Sequence, residues 1–347
     1  MKRFIFSPFK PVRSLSVVLC LIFLIPAYGI QAKELRMLLL FSKKYVFGEV
    51  IADTFVNNVR EASAGKINIS LYGPDAVPPM EQFDPLKAGV FDLLIHHPIY
   101  HSEGVGVAIE ATDNDPAKRR ESGVWDFVDV HYRETHKVKL IAIAPLGTKS
   151  SQYILREPVS KKSPGLKGLR IRCVDAYESM TKSLGGIPIN IPANEAYAAL
   201  AAGTVDGMAF LTTGIIDLKL YEQVKYLTRP VFGRVHFGIY MNLNAYEGKL
   251  TPDEQKLIDE QGRNLEISTL KRMDEKAAEE LAELKKLGMK ETQFAPEDAT
   301  RLDDLWTKGV WEVAEKKAGD KARKFREFIK SKGMTMGSGK WEVRSEK

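Results

Sequence analysis

Gly165–Gly207, GLKGLRIRCVDAYESMTKSLGGIPINIPANEAYAALAAGTVDG, reads as strand, helix, strand, helix, strand. That alternation predicts an α/β fold with a mostly parallel sheet. Arg172 stands on the first of these strands, among Leu169, Ile171 and Val174. A permanent charge in apolar surroundings is costly unless an anion meets it. The arginine is therefore expected to serve a ligand, with an internal salt bridge to an acid such as Glu178 as the alternative. Asp175 with Glu178 predicts a capping pair for a helix over Ala176–Leu184, ended by Gly185, and Asn194 a cap for the helix from Glu195.

Working outward, EAYAALAAGTVD (Glu195–Asp206) aligns without gaps with EQFDPLKAGVFD (Glu81–Asp92), 114 residues earlier. Each copy is a short helix, a glycine suited to a left-handed stop, and a strand. Two copies predict two similar lobes, each on its own sheet, with His96 and Phe210 at equivalent strand ends. Leu35–Phe41, Lys66–Tyr72 and Phe91–Ile95 read as strands and Gly48–Ala62 as a helix. Val235–Asn242 reads as a strand returning the chain to the first lobe. Thr251 and Pro252 open a long polar helix, roughly Asp253–Leu287, expected to brace both lobes from outside. Two more helices follow, near Glu297–Ala318 and Lys321–Lys332.

The first 32 residues read as a leader: a basic start, the apolar run SLSVVLCLIFLIPAYG, then Ala27, Gly29 and Ala32, which suit cleavage near residue 29 or 32. An uncleaved anchor is the alternative, and Leu19 before Cys20 argues against lipidation. Cleavage removes Lys2, Arg3, Lys10 and Arg13 and no acid, so the formal charge falls from +6 to +2. The basic balance belongs to the leader, and nothing argues for nucleic acid. The remaining chain keeps only Cys173, which excludes an internal disulfide. A soluble exported, periplasmic protein is expected. The division expected is 1–32 signal peptide; 33–147 plus about 238–275, lobe I; 148–237 plus about 276–332, lobe II; and 333–347 flexible tail.

GLRIR, GGIPINIPANEAYAALAAGTVDG and LYEQVKYLT (Leu220–Thr228) together resemble the TRAP transporter solute-binding proteins of the dicarboxylate-receptor (DctP-type) family, over about Leu35–Lys332. The resemblance implies a type II periplasmic binding protein fold: two α/β lobes with a hinge, a cleft, and a long C-terminal helix spanning both. It also implies an extracytoplasmic solute receptor that takes an organic acid, a carboxylate, and delivers it to the membrane permease subunits of a TRAP transporter. Arg172 falls where these receptors grip the carboxylate. Many members read Val–Asp–Gly–x–Glu–Asn, the Asn touching ligand; here VDGMAF puts Phe210 at that place and favours a more apolar or aromatic acid.

Further ligand-binding candidates are His96 by the repeat, and Lys149 and Tyr153 (with Gln152) in GTKSSQY, which resembles a segment where some relatives carry arginine. Lys43 or Tyr45 in FSKKY, and His236 at the crossover, complete the set. His96, His97 and His101 form the one metal-like cluster, but adjacent strand residues face opposite ways, and no supporting zinc or calcium motif accompanies them. No metal or other cofactor is expected. No nucleophile–base or paired-acid arrangement stands out, so a receptor rather than an enzyme is expected. The alternatives are a periplasmic sensory receptor for a carboxylate and an exported metal-dependent enzyme on the same scaffold. A homodimer is compatible with the C-terminal helices without being demanded by them.

Overall fold

The computed structural model describes Met1 and residues 32–101 and 103–335, without the side chain of Asn194. Residues 2–31 of the expected leader and 336–347 of the expected tail lie outside the described residues, as does the expected cap by Asn194.

Eleven strands are described: β1 Lys33–Leu39, β2 Ile67–Tyr72, β3 Leu93–His96, β4 Val138–Pro145, β5 Ser151–Leu155, β6 Arg170–Cys173, β7 Ile187–Asn190, β8 Gly207–Leu211, β9 Tyr226–Arg229, β10 His236–Asn242 and β11 Lys290–Gln293. They form two sheets, β2-β1-β3-β10-β4 and β11-β9-β5-β8-β6-β7. In the first, β1 pairs in parallel with β2 and β3, and β10 runs antiparallel between β3 and β4. In the second, β6 pairs in parallel with β7 and β8, and β5 runs antiparallel between β8 and β9. The two sheets thus share one plan, as the repeat predicts.

The repeated aspartates show why the plan recurs. Asp92 accepts the Arg36 backbone N–H on β1 at 2.9 Å, and Asp206 accepts that of Arg170 on β6, also at 2.9 Å. Each carboxylate seals the start of a buried strand against the neighbour it pairs with, and each preceding glycine, Gly89 or Gly203, has positive φ.

One cap differs from expectation. The helix runs Asp175–Ser183 and its extended N-cap is Val174, with no side-chain capping bond. Asp175 is already helical, and its carboxylate accepts from Asn190 Nδ2 at 2.5 Å instead, while Glu178 pairs with Lys182.

The chain passes between the sheets at 146–150 and again at 230–235. The two crossings are hydrogen-bonded to each other: Leu146 N–H to the Val235 carbonyl at 3.0 Å, Ser150 N–H to that of Gly233 at 3.1 Å, and Val235 N–H to Ser150 Oγ at 2.8 Å. Gly147 has φ +114° and lies so close to the long helix that a Cβ would sit 2.8 Å from Asp274 Oδ1. That carboxylate needs the space, because it accepts from Thr148 N and Oγ1 at 2.7 and 2.6 Å.

Two helices brace the crossings. The long one, Pro252–Lys286, starts at a capping box between Thr251 and Glu254. Its buried Glu266 accepts from Ile143 N on β4, and Glu280, further along, accepts from Gly214 N and Ile216 N beyond β8. Leu302–Ala318 packs on Asp175–Ser183 and on Gly104–Ala108, with glycine at each close approach (Gly309 against the Ala176 carbonyl, Gly104 against that of Ala314). The last helix, Asp320–Ser331, expected with the second lobe, packs on Leu302–Ala318 and also on the first-sheet helices Gly104–Ala108 and Val124–His136, with Phe325 and Phe328 against Phe127 at ring distances of 5.1 and 5.2 Å.

Candidate functional site

Between the two sheets, in front of the crossings, lies a cavity of about 60 Å³. Its polar lining comes from both sides: Arg172 on β6, His97 just after β3, Tyr100 in the turn that follows, and Glu110 in the turn after the helix Gly104–Ala108. Phe41, Ile99, Phe210, Leu211, Phe237 and Trp306 supply an apolar and aromatic wall.

Arg172 is 3% exposed. Its Nε donates to the Ile191 carbonyl at 2.6 Å, which fixes the plane of the guanidinium. Nη2 is buried without a partner among the described residues. The salt bridge to Glu178 does not form, because Glu178 is taken by Lys182 at 2.5 Å. Burial raises the Tyr100 hydroxyl above its usual range, and the adjoining Arg172 charge opposes that shift. A buried arginine with a fixed plane, an unpartnered Nη2 and the Tyr100 hydroxyl beside it is suited to receiving a ligand carboxylate.

Glu110 is fully buried, and its Oε1 accepts from His97 Nε2 at 2.7 Å. His97 Nδ1 in turn accepts the Ile99 N–H at 3.1 Å, so the ring proton belongs on Nε2. Glu110 Oε2 and Trp306 Nε1 are buried without partners among the described residues.

The other expected site residues are placed as follows. Phe210 lines the cavity. His96 does not: its ring turns into the first sheet's helix layer, bonded through Nε2 to the Pro79 carbonyl and through Nδ1 to His101 Nδ1, each at 2.9 Å. The neighbouring His97 takes the cavity face, because successive strand residues point opposite ways. Lys149 pairs with Asp303 at 2.6 Å, and Asp303 also holds Gly233 N–H at 3.1 Å, so this lysine braces the crossings. It and Gln152 line a separate hollow of about 210 Å³ beside the long helix. Tyr153 is fully buried in the second lobe, bonded to Thr181 and packed on Phe232. Lys43 is exposed and Tyr45 half-buried; Phe41 is the FSKKY residue that reaches the wall. His236 lies behind the wall, 3.7 Å from Glu110 Oε1, with both ring nitrogens unpartnered among the described residues and its pKa pushed well down by burial.

Besides Tyr100, Glu110 and Trp306 are lining residues that sequence reasoning missed. Neither sits in a local pattern that marks it; both reach the cavity through packing of distant helices. The histidine cluster divides, His97 to the cavity and His96 to His101, which leaves His96 no nitrogen for a metal. Among the described residues, the trio whose donor atoms lie close enough to hold an ion is Glu103, His131 and His136. Glu103 already caps the helix Gly104–Ala108 and accepts from His131 Nε2 at 2.7 Å, so hydrogen bonding accounts for that pair.

Residues 112–317 match the family model of bacterial extracellular solute-binding proteins, family 7 (DctP). The chain belongs to that family. A solute-binding protein of Albidiferax ferrireducens is 26% identical over 148 residues, which are 42% of this chain and 44% of that relative, so the match spans less than half of its length. The fold is shared with solved receptors. A Bordetella pertussis extracytoplasmic solute receptor binding pyroglutamic acid superposes with a TM-score of 0.72 at 17% identity, over 86% of this chain and 100% of that one. A TRAP periplasmic solute-binding protein from Desulfovibrio salexigens with bound orotic acid gives 0.74 at 18% (86% and 98% covered). One from Rhodoferax ferrireducens with bound malonate gives 0.72 at 17% (86% and 98%). This family 7 chain therefore has the type II periplasmic binding protein fold expected from its sequence. No helix among its described residues is long and apolar enough to cross a membrane.

Proposed function

We propose that this protein is an extracytoplasmic solute receptor that closes over a small organic acid between its two lobes and delivers it to a TRAP-type membrane permease. The observation that carries this reading is Arg172: a buried, oriented guanidinium in the interlobe cavity, whose unpartnered Nη2 no carboxylate among the described residues meets. Such a charge is stabilised when a ligand carboxylate arrives. The aromatic wall, with Phe210, suits a compact apolar body. The solved receptors of the same fold bind pyroglutamic acid, orotic acid and malonate, which supports the ligand class. Binding and release suffice for the role; no chemical step is assigned to the cavity. The leader at residues 1–32 would place the mature chain in the periplasm. The lobes are taken as the two sheets with their helices, hinged at the paired crossings.

A thermal-shift screen of the mature protein against aliphatic, keto, sugar and aromatic acids tests the reading, repeated with Arg172→Ala. A ligand at a hundred times its Kd adds about 2.7 kcal/mol of stability. A shift from one acid class that Arg172→Ala abolishes is the expected result. Shifts indifferent to Arg172, or none from any acid, would overturn it.

A further inference from the structure

We propose that Glu110 receives a hydrogen-bond donor of the ligand, so that the preferred ligands are monocarboxylates carrying a hydroxyl or amide N–H, and dicarboxylates are disfavoured. The inference rests on the receptor reading and narrows the ligand class.

Glu110 is fully buried on the cavity wall, on the first-sheet side, while Arg172 stands on the second sheet. The unpartnered polar atoms of the lining residues are unequal in kind. Arg172 Nη2 and Trp306 Nε1 can only donate, and Glu110 Oε2 accepts. A buried polar atom without a partner is costly, and folded proteins rarely leave one unless a ligand or water meets it. The donors suit a ligand carboxylate. The acceptor asks for something different at the ligand's other pole.

Among the described residues nothing relieves Glu110 Oε2. His97 is committed to Oε1, with its ring proton fixed by the Ile99 amide, and His236 Nδ1 stands 3.7 Å from Oε1, beyond hydrogen-bond reach. The Arg119 charge lies near enough to be coupled to Glu110. A second ligand carboxylate placed here would face a buried carboxylate of the same sign. A hydroxyl or an amide N–H would instead complete the glutamate's bonding, and the small volume keeps that donor within a few atoms of the carboxylate held by Arg172.

Calorimetry on the mature chain tests this with matched acids: pyroglutamate against cyclopentanecarboxylate, 2-hydroxyisovalerate against isovalerate, and malonate and succinate as dicarboxylates. In the wild type the donor-bearing member of at least one pair should bind tenfold or more tighter than its partner and than either dicarboxylate. Glu110→Gln, whose amide can donate, should cut the preference within that pair below threefold and strengthen dicarboxylate binding. Equal binding within both pairs, or dicarboxylates binding best to the wild type, overturns the inference even where Glu110→Gln fails to fold. An Arg172→Ala arm separates the two readings. Acids that bind through Arg172 without regard to a donor sink this inference alone; acids that ignore Arg172, or a panel that does not bind, sink both.

Discussion

At the scale of single residues, the cavity is built on charges that the fold fixes in place before any ligand arrives. Arg172→Lys keeps the charge but loses the planar fork. It should weaken acid binding about tenfold, against roughly 100-fold for Arg172→Ala, because truncating one side of a buried charge pair costs about 3 kcal/mol. Equal losses in the two variants by calorimetry would show that the fork's geometry contributes nothing. Arg172 was legible in the sequence because a guanidinium among Ile171 and Val174 demands an explanation on its own. Glu110 was not. It is one acid in a small-residue stretch, and only the packing of Leu302–Ala318 and its neighbours brings it to the cavity. His96 shows the limit of the repeat: equivalence with Phe210 identified the right strand end, but alternation gave the cavity face to His97.

At the scale of elements, β3 is tied to the helix Val124–His136 by a relay that has one direction. The Pro79 carbonyl can only accept, so His96 carries its proton on Nε2; His101 then donates from Nδ1, and its Nε2, 2.9 Å from the Tyr132 hydroxyl, accepts. Charging His96 would put a proton on both facing Nδ1 atoms unless His101 moved its own to Nε2, where the Tyr132 hydroxyl can accept it. Burial lowers the pKa of His96 from 6.5 to about 4, with the neighbouring His97 adding to the shift, and burial likewise holds His101 well below its ordinary value. Because the folded value lies below the unfolded one, the unfolded chain takes up a proton that the folded chain refuses. The contribution of His96 is full above about pH 6.5 and is lost as pH falls toward 4, on the order of 3 kcal/mol. Thermal melts at pH 7.5, 6 and 4.5 should show this loss, and His96→Gln should lose less over the same range; equal losses would contradict the assignment. At the start of the long helix, Thr251→Ala should lower stability by about 1 kcal/mol in a urea titration, with the slope unchanged. That cap was readable from Thr251 and Pro252. The Asp175 cap was misread because Asn190, on a strand 15 residues away, competes for the same carboxylate.

At the scale of the whole molecule, the lobes also meet outside the cavity, where Phe47 packs on the wall residues Phe41 and Phe237. Val46 N–H, beyond β1, donates to Asp217 Oδ2, beyond β8, at 2.8 Å, and Arg272 and Lys276 of the long helix reach Glu49. Asp217→Ala should favour the open form and weaken acid binding by about 3- to 30-fold while Arg172 is untouched, since a hydrogen bond to a charged group contributes roughly 1 to 2 kcal/mol in a half-exposed setting. Scattering from the ligand-free variant should give a larger radius of gyration than wild type; an unchanged radius and affinity would exclude Asp217 as a latch. The two-lobed plan and its bracing helix were legible because repeat, alternation and helix length are local signals. The latch and the braces at Asp274 and Asp303 join segments separated by 70 residues or more, and no local pattern announces them. Cys173, next to Arg172 on β6 but absent from the cavity wall, is 1% exposed, and burial pushes its thiol up to about 12. It is therefore a slow chemical clock wired to the ligand-gripping strand. An alkylating reagent can reach it only when that strand comes apart, so a ligand at a hundred times its Kd should slow the modification by about a hundredfold.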